Sequence, residues 1–325
     1  MKCRVCGQPA SINLRSYKTA LCDTDFIAFF EKRVQTTINK YNLIVEGDTP
    51  IVAVSGGKDS LALWYLMNKL GIACDGIYID LGIVGYSDTS LDKIKKAAAI
   101  LKRKVYVFRI KSVLDCGVDG LAKAMRRMPC SACGMVKRYI MNKVCMDKGY
   151  NVLVTGHNLD DEASALLGNV LYWKKEYLWK KDISLEAKEG HLSKKVKPLF
   201  LCSERESAAY AIMNNIDYVY EECPFSMRAK SITYKGMLNT LEETSPGTKL
   251  MFVKGYLKTL KDVGSAGEVA GEEKRETKYC INCGYPSYTE KCIFCWTLEK
   301  YGIQNNVKFD EYGPYSIDSG HGVVQ

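Results

Sequence analysis

Long apolar runs are missing from this 325-residue sequence. No stretch approaches the ~20 apolar residues that span a bilayer, so we expect no association with a membrane. The first ten residues, MKCRVCGQPA, contain two cysteines and lack the apolar segment of a secretory signal. We find no internal repeat in the central part of the chain. Together these absences predict a cytoplasmic protein.

The composition indicates a globular protein that binds metal. With 47% hydrophobic residues the chain can bury a sizeable core, and we expect one main domain with small appendages. The net charge of +9 favours a polyanionic partner only modestly, since many enzymes are equally basic. Among the 14 cysteines are four CxxC pairs, which in a reducing compartment favour metal binding or redox chemistry over structural disulfides.

The central sequence alternates between strand-like and helix-like segments. The apolar runs IVAV, CDGIYID, VYVFRI and NVLVTG are separated by longer stretches of helical character. This alternation is typical of βαβ units, so it predicts an α/β fold with a doubly wound parallel sheet and ligands at the carboxyl ends of the strands. An amphipathic helix precedes the first of these runs. Its apolar side consists of Phe26, Phe29, Phe30, Val34 and Ile38.

The segment IVAVSGGKDSLALWYL combines a strand, a tight turn at residues 55–57 and the start of a helix. Glycines let backbone amides approach an anion, and a helix N-terminus directs its N–H groups at the same point, so the turn predicts a phosphate-binding loop. It is not a Walker A loop, because Lys58 is followed by Asp59. A plain glycine turn capped by serine is the alternative. Asp59 fits a phosphate site if Mg²⁺ lies between the carboxylate and the phosphates.

The segment VTGHNLDDEASALL ends the fourth predicted strand and opens a helix. Asn158, Asp160, Asp161 and Glu162 lie around its first turn. Asn158 or Asp160 could merely cap the helix, but three acids beside a phosphate site fit magnesium binding or proton transfer better. Earlier in the chain IYIDLGI ends another strand, and we expect Ile79 to lie against an adenine there.

The cysteines at both ends have the spacing of zinc sites. Two CxxC knuckles near the C-terminus predict a closed tetrahedral zinc site, with a pair of redox disulfides as the alternative. This set is Cys280, Cys283, Cys292 and Cys295. Near the N-terminus Asp25, a less common zinc ligand, completes a second candidate set with Cys3, Cys6 and Cys22. The small, polar and charged segment VGSAGEVAGEEKRETK predicts a linker before the C-terminal set.

A third group of cysteines lies in the centre of the chain. Cys130 and Cys133 form a CxxC pair, and Cys223 is the one other cysteine in similar surroundings. Three thiolates are too few for a structural zinc site but can hold an iron–sulfur cluster with one iron left open. A persulfide and disulfide relay between Cys130 and Cys223 is the alternative. The other four cysteines are expected to be buried thiols: Cys74, Cys116, Cys145 and Cys202.

Lys137 lies four residues after Cys133, so a helix would bring both side chains to one face. On the sequence alone a solvated surface lysine is the better interpretation. Three basic runs, MRR at 125–127, WKK at 179–181 and SKKVK at 193–197, are candidates for contact with a nucleic-acid backbone, although each run alone is typical of a solvated face.

The order of the motifs resembles one family. SGGKDS resembles the PP-loop of the ATP pyrophosphatases, and GHNLDDEA resembles the branch of those enzymes that modifies tRNA bases. With MKCRVCG, PCSACG, ECPFS and YCINCGYP in the same order, nearly the whole chain resembles the tRNA 2-thiouridine synthetases of the TtuA and NcsA type. This resemblance implies that ATP adenylates the C2 oxygen of a tRNA uridine and that a sulfide then replaces AMP.

The resemblance also implies roles for particular residues. Asp59, Lys137 and Asp161 would assist the chemistry, and Cys130, Cys133 and Cys223 would hold a [4Fe-4S] cluster. ATP and Mg²⁺ would be held by Ala53, Ser55, Gly56, Gly57, Asp59, Ser60, Ile79, Gly156, Asn158 and Asp161. In the family the fourth N-terminal zinc ligand is usually His or Cys, so Asp25 departs from the pattern.

The expected domains are an N-terminal zinc finger at 1–27, a PP-loop catalytic domain at 28–262, a linker at 263–278 and a zinc ribbon with a tail at 279–325. The implied partners are tRNA, a thiocarboxylated ubiquitin-like sulfur carrier and a second copy of the chain in a homodimer. A tRNA 2-thiocytidine synthetase and a non-catalytic RNA-binding zinc protein are the competing functions. The sequence leaves open which uridine is modified, the wobble uridine or the T-loop uridine, and whether the sulfide arrives free.

Overall fold

The computed structural model describes residues 1–126, 128–179, 184–185, 192–221, 223–225, 230–264 and 277–313. Most of the expected linker lies outside these residues, as do Arg127 of the MRR run, Lys180 and Lys181 of the WKK run, and the tail from residue 314. No helix in the described part of the chain is long and apolar enough to cross a bilayer.

A central sheet with helices on both sides forms the body of the molecule. The strands are β1 (Ile12–Leu14), β2 (Thr19–Leu21), β3 (Pro50–Val54), β4 (Asp75–Asp80), β5 (Val105–Arg109), β6 (Val152–Thr155), β7 (Ser184–Leu185), β8 (Lys194–Val196), β9 (Lys278–Tyr279), β10 (Pro286–Ser287) and β11 (Asp310–Tyr312). The helices are α1 (Asp23–Lys40), α2 (Lys58–Lys69), α3 (Tyr86–Leu101), α4 (Gly117–Ala124), α5 (Pro129–Lys148), α6 (Leu159–Leu171), α7 (Lys175–Trp179), α8 (Glu204–Met213), α9 (Lys230–Thr244), α10 (Thr248–Gly264) and α11 (Ile293–Lys300).

The strand order of the central sheet is β11-β5-β4-β3-β6-β8-β7. The five inner strands run parallel, and β11 and β7 close the two edges in antiparallel pairing. After β3 the chain builds outward through β4 and β5, and then returns to place β6 on the other side of β3. The expected doubly wound parallel sheet is therefore confirmed, and its topological switch point lies between β3 and β6.

Apolar residues anchor α1 and α2 against this sheet. Phe26, Phe30 and Val34 of α1 are fully buried, as the sequence pattern predicts, and Phe29 is half-buried. On α2 the Trp64 ring is fully buried, and its indole N–H donates to the Cys74 carbonyl oxygen at 3.0 Å. Because α2 is held along most of its length, its N-terminus stays fixed at the carboxyl end of β3.

The C-terminal segment is part of the same body. The cysteine module that contains β9, β10 and α11 shares a hydrophobic core with α4 and α5. The chain then adds β11 beside β5, pairing Glu311 with Tyr106. The sequence gives no sign of this return, since DEY has little strand character.

Two sequence-based expectations are wrong. The SKKVK run contributes β8, where Lys194 donates to the Asn42 carbonyl oxygen and Lys197 pairs with Glu162 at 2.9 Å, so these lysines serve the fold instead of a free basic surface. Cys74, Cys145 and Cys202 are buried as expected, but Cys116 is exposed. It lies at the N-cap of the short helix α4, which leaves its thiol at the surface.

Candidate active site and metal centres

A cavity of about 370 Å³ opens at the carboxyl ends of β3, β4 and β6. It lies at the switch point of the sheet, where doubly wound folds bind their ligands. Eleven of the site residues expected from the sequence line this one cavity: Ala53, Ser55, Asp59, Ser60, Ile79, Cys130, Cys133, Lys137, Gly156, Asp161 and Cys223. The phosphate-binding loop and the central cysteines therefore share one space.

The loop after β3 has the geometry of an anion cradle. Gly56 has φ of +81°, and a Cβ there would lie 3.0 Å from the Cα of Ser90, so neither the conformation nor the space admits a side chain. Gly57 is the N-cap of α2, and the Ser60 hydroxyl donates back to its carbonyl oxygen at 3.0 Å. The N–H of Ser55 also donates to the Ser60 hydroxyl oxygen. The helix start thus presents its N–H groups to the cavity, as phosphate binding requires.

The loop after β6 is fitted against this cradle. Asn158 and Asp161 form a reciprocal capping box at the start of α6. The Asn158 side-chain amide also donates to a carboxylate oxygen of Asp59 at 3.2 Å, so the capping residue joins the two loops. A Cβ at Gly156 would lie 3.0 Å from the Ser60 nitrogen, which explains glycine at this close approach. Gly56, Gly57 and Asn158 belong to these two loops but do not line the cavity.

Only one of the three acids after His157 faces the cavity. Asp160 is buried, pairs with Lys249 and accepts the N–H of Glu204 at 2.8 Å. Glu162 is buried and pairs with Lys197. The expectation that all three acids serve magnesium binding or proton transfer is therefore wrong. Asp160 and Glu162 form ion pairs within the fold, and of the three acids Asp161 alone lines the cavity.

A network of charges that the sequence did not reveal surrounds the phosphate loop. Glu204 of α8 pairs with Lys58 at 2.7 Å and with Lys235 of α9 at 3.1 Å. Lys235 also pairs with Asp161 at 2.7 Å, and Lys58 pairs with Asp59 at 3.2 Å. Lys58 stands inside the SGGKDS motif and could have been noticed, whereas no motif surrounds Lys235 or Glu204.

These pairings shift the pKa values of the groups involved. Burial by itself lowers the pKa of Lys58, but the charge of Asp59 and a hydrogen bond to Glu204 outweigh it and raise the pKa. Burial also lowers the pKa of Lys235, but Asp161 and Glu204 outweigh it and raise the pKa. Burial raises the pKa of Asp59, and Lys58 and Asn158 oppose that rise. Both lysines thus stay cationic beside the site where phosphates would bind.

The three central cysteines line the same cavity as the loop after β3. Cys130 and Cys133 are in the first turns of α5, which Pro129 opens, and Lys137 follows one turn later. Burial raises the pKa of the Cys133 thiol, while the neighbouring charge of Lys137 opposes the rise and the thiols of Cys223 and Cys130 add to it. The four side chains are therefore close enough to interact.

The loop that carries Cys223 is tied at two points. Before the cysteine, the N–H of Val219 donates to the Gly56 carbonyl oxygen at 2.9 Å. Beyond it, the Cys130 thiol donates to the Phe225 carbonyl oxygen at 3.3 Å. One segment thus runs from the phosphate loop to α5, and this explains how a cysteine so far along the chain joins the CxxC pair.

The N-terminal ligand set is brought together by β1, β2 and the first turn of α1. The Cys3 and Cys22 thiols donate to one carboxylate oxygen of Asp25 at 3.0 and 3.2 Å, and the sulfurs of Cys6 and Cys22 are 3.6 Å apart. Hydrogen bonds from the three thiols hold the pKa of Asp25 below its usual value. The four candidate ligand atoms lie within 4.8 Å of one another.

The C-terminal set is equally compact. Its four sulfurs, from Cys280, Cys283, Cys292 and Cys295, also lie within 4.8 Å of one another. Backbone turns close each knuckle, and Gly284 donates to the Cys280 carbonyl oxygen at 2.8 Å. The Asn305 side-chain amide donates to the Cys295 sulfur at 3.0 Å. Among the described residues, the N- and C-terminal sets are the groups of potential metal ligands whose ligand atoms all lie within 4.8 Å of one another.

The fold and the site define a PP-loop protein that uses ATP. A model of the PP-loop domain matches residues 28–226, and a model of the N-terminal LIM domain of the 2-thiouridine synthetase TtuA matches residues 2–27. This chain belongs to the TtuA-type family of PP-loop tRNA sulfurtransferases, and it is an enzyme. The family resemblance read from the motifs is thereby confirmed.

Three relatives illustrate the match. The tRNA-5-methyluridine(54) 2-sulfurtransferase of Pyrococcus horikoshii is 45% identical over 92% of this chain and 95% of its own. The enzyme of the same name from Thermus thermophilus is 42% identical over 91% of this chain and 90% of its own. The solved structure of the U34-tRNA thiolase NcsA from Methanococcus maripaludis, with its [4Fe-4S] cluster, superposes with a TM-score of 0.77 at 29% identity and covers 95% of this chain and 99% of its own.

Proposed function

We propose that this enzyme replaces the C2 oxygen of 5-methyluridine at position 54 of tRNA with sulfur at the expense of ATP. The uridine O2 attacks the α-phosphorus of ATP, an O–P bond forms and pyrophosphate leaves. A sulfur nucleophile then adds to C2, and the C2–O bond breaks to release AMP. The choice of position 54 rests on the 45% and 42% identity to relatives named for that position, against 29% to the thiolase named for U34.

One observation carries the proposal. The phosphate loop after β3 and the cysteines of α5 line the same cavity, so one bound base can meet both an activating nucleotide and a sulfur source. A non-catalytic RNA-binding protein would have no use for this arrangement. The cavity's volume of about 370 Å³ is within the range of small-molecule sites.

We assign each half of the cavity its own task. Ser55, Ser60 and the start of α2 hold the phosphates, with Gly56 and Gly57 providing the close approach. Ala53, Ile79 and Gly156 lie where the nucleoside would fit, and Asn158 positions Asp59. Asp59 and Asp161 offer the carboxylate oxygens that Mg²⁺ prefers. Lys137, on the cysteine side, stabilises negative charge that develops on the base.

The donor set of the central cysteines fits a [4Fe-4S] cluster. Cys130, Cys133 and Cys223 supply three thiols in a partly exposed pocket, and each thiolate of such a cluster binds a different iron, so wider spacing than in a one-ion site is expected. When bound, such a cluster supplies an open, Lewis-acidic iron that can hold a sulfur nucleophile. Lys137 follows Cys133 by one helical turn and lines the same cavity.

The two terminal sets fit zinc. Four thiolates, or three thiolates and a carboxylate, that converge within 4.8 Å are the donors and spacing of a closed tetrahedral site. We assign both a structural role and expect elemental analysis to find two zinc ions per chain. The module boundaries at 1–27, 28–262, 263–278 and 279–325 follow from this assignment, with α1 crossing the first boundary.

Three further parts of the proposal concern the setting of the reaction. We place the enzyme in the cytoplasm, where tRNA is modified, and we propose that it acts as a homodimer. We also propose that sulfur arrives on a thiocarboxylated ubiquitin-like carrier instead of as free sulfide. The carrier part can be tested separately, because free sulfide should support only slow turnover when the carrier is withheld.

Mass spectrometry of tRNA nucleosides tests the proposal. Enzyme prepared without oxygen is incubated with unmodified and 5-methylated tRNA, ATP, Mg²⁺ and sulfide. We expect 5-methyl-2-thiouridine in the fragment that contains position 54, with one pyrophosphate released per thiolation event. Thiolation at position 34 would overturn the choice of nucleoside, and 2-thiocytidine would overturn the uridine assignment.

A further inference from the structure

Three large aromatic side chains stand together in solvent beyond the end of α6. Tyr172 is 55% exposed, Trp173 74% and Tyr177 61%. Scattered exposed aromatics are ordinary, but three within one short stretch of chain are a candidate binding surface. We call these three residues, with Lys174 and Lys230, the aromatic platform.

The backbone of Trp173 is in an unfavourable conformation for its side chain. Tyr172 is the C-cap of α6, and Trp173 follows it with φ of +45° in the left-handed region. Glycine or asparagine normally occupies this position, because a bulky residue is strained there. Since the Trp173 ring is mostly exposed, the fold gains little from it in return. A role in folding therefore does not explain tryptophan at this position.

Two lysines lie near the tyrosine rings. The Lys174 ammonium lies 5.6 Å from the Tyr172 centroid and 5.9 Å from the Tyr177 centroid. The Lys230 ammonium lies 5.1 Å from the Tyr172 centroid and donates to its hydroxyl oxygen at 3.0 Å. Among the described residues, no salt bridge joins Lys174 or Lys230 to an acid. The platform thus combines exposed π-faces with two lysines that form no ion pair with the described acids.

The platform is connected to the cavity through α6. Asp161 lines the cavity in the first turn of this helix, and Trp173 follows twelve residues later, ~18 Å along the axis. Helix α9 packs tightly alongside, since a Cβ at Gly168 would lie 2.9 Å from the Tyr234 ring. The same α9 carries Lys235, which pairs with Asp161. Two rigid elements therefore hold the platform at a fixed distance from the cavity.

We infer that the aromatic platform binds an unpaired stretch of the tRNA substrate by stacking its bases on Trp173 and Tyr177, with Lys174 and Lys230 at the phosphates. The inference rests on the proposed function, because a buried uridine must leave the folded tRNA before it can enter the cavity, and its displaced neighbours then need a surface. Single-stranded bases have free faces for aromatic rings, and paired ones do not. Two lysines beside the exposed rings favour a polyanion over a protein partner.

Fluorescence anisotropy with labelled oligouridylate tests the inference, and a duplex of the same length serves as a comparison probe. We expect Trp173→Asn and Tyr177→Ala each to raise the dissociation constant for the single strand about tenfold, as loss of one stacked base would. Binding of the duplex should change little. The matched control is Trp296→Ala, since Trp296 is 51% exposed and has Lys300 5.6 Å from its ring but lies on the C-terminal module.

Melting curves separate binding from folding. Asparagine suits the left-handed position, so Trp173→Asn should melt at the same temperature as the wild type or higher while it binds RNA less well. Unchanged affinity in both platform variants would overturn the inference, and so would weaker binding that accompanies a lower melting temperature. If the platform variants changed the oligomeric state but not the RNA affinity, the surface would belong to a protein partner, and the inference would be overturned as well.

Thiolation assays distinguish this inference from the proposed function. At saturating tRNA the platform variants should thiolate at nearly the wild-type rate, with KM for tRNA raised about tenfold. If the wild type thiolates no tRNA but single-strand binding still depends on Trp173, the proposed function fails and the platform stands. If thiolation proceeds and KM is unchanged in the variants, the platform fails and the function stands.

Discussion

Tyr139 of α5 stacks face to face on Phe294 of α11, with ring centroids 4.0 Å apart and planes 11° apart. Both side chains are buried. Asn142, three residues further along α5, donates to the Tyr285 hydroxyl oxygen of the same module at 2.9 Å. The C-terminal cysteine module therefore rests on the helix whose first turns carry Cys130 and Cys133. We conclude that the module stabilises the position of α5, the helix that contributes Cys130 and Cys133 to the cavity.

The first prediction concerns this contact. Phe294→Ala should destabilise the protein by about 3 kcal/mol, because a buried aromatic ring is lost at the junction. It should also lower the iron that the anaerobically prepared protein retains, since α5 loses its support. Urea unfolding and iron analysis measure the two effects.

Trp296→Ala, two residues along the same helix but at an exposed position, is the control for the Phe294 variant. It should change stability by less than about 0.5 kcal/mol. Equal stability and iron content in the Phe294 variant and the wild type would show that the module is not a support for α5.

The second prediction concerns the two acids of the cavity. Asp59→Asn and Asp161→Asn should each lower pyrophosphate release by on the order of 10²-fold or more, because the phosphates lose the carboxylates that organise their metal ion. The Asp161 variant should also melt slightly lower, since Asp161 belongs to the capping box of α6.

Asp119→Asn is the control for these acids, because Asp119 pairs with Lys123 on α4 and does not line the cavity. Its rate should equal that of the wild type. Pyrophosphate release at a normal rate in both cavity variants would remove these acids from the mechanism.

The third prediction concerns Lys235, which bridges Asp161 and Glu204. Lys235→Gln leaves two carboxylates without their shared cation, so ATP should bind about tenfold more weakly as like charges accumulate beside its phosphates. Isothermal titration with a non-hydrolysable ATP analogue measures the affinity. The double variant Lys235→Gln, Glu204→Gln should recover part of the loss, and a purely additive result would mean that the two residues do not act together.

Part of this site was predictable from the sequence. Asp59 and Asp161 follow apolar strands within glycine-containing motifs, and parallel strands bring their carboxyl ends to one edge, so their proximity follows from chain order. Cys223 could be assigned from the sequence only because it is the one other cysteine in surroundings similar to those of Cys130 and Cys133. Its position depends on backbone hydrogen bonds such as that from Val219 to Gly56, which leave no pattern in the sequence. Lys235 was not predictable, since an ordinary lysine on a surface helix leaves no local pattern and its role depends on the packing of α9 against α6.

The sequence-based expectations that were wrong have the same origin. Asp160 and Glu162 have the spacing of metal ligands, but their partners Lys249 and Lys197 lie far along the chain. A pattern of charges reports which side chains are present, and tertiary packing decides which of them are neutralised. Strands β8 and β11 were missed because strands of only three residues depend on pairing more than on propensity.

The fourth prediction concerns pH. Burial by itself raises the pKa of Glu204, but hydrogen bonds and charges from Lys58 and Lys235 outweigh it and hold the pKa below 4.5. A depressed carboxyl pKa stabilises the folded state above the unfolded pKa, and the stabilisation is lost as the pH falls from 4.5 through the folded value. The wild type should therefore lose more stability than Glu204→Gln between neutral pH and about pH 3.5. Urea unfolding at both pH values measures this, and parallel losses in the two proteins would contradict it.

The fifth prediction separates the two halves of the cavity. Cys130→Ser should retain pyrophosphate release in a single turnover, because the phosphate loop is intact, but it should form no thiolated nucleoside and hold little iron. Cys145→Ala on the same helix is the control, since Cys145 is buried away from the cavity and its variant should thiolate normally.

The proposed mechanism is tested most directly by measuring pyrophosphate and the position-54 nucleoside in the same anaerobic reaction with wild type and Cys130→Ser. We expect the wild type to yield equal amounts of pyrophosphate and 2-thiolated product, and the variant to yield pyrophosphate without the product. Thiolation by an iron-free Cys130→Ser variant at the wild-type rate would contradict the mechanism.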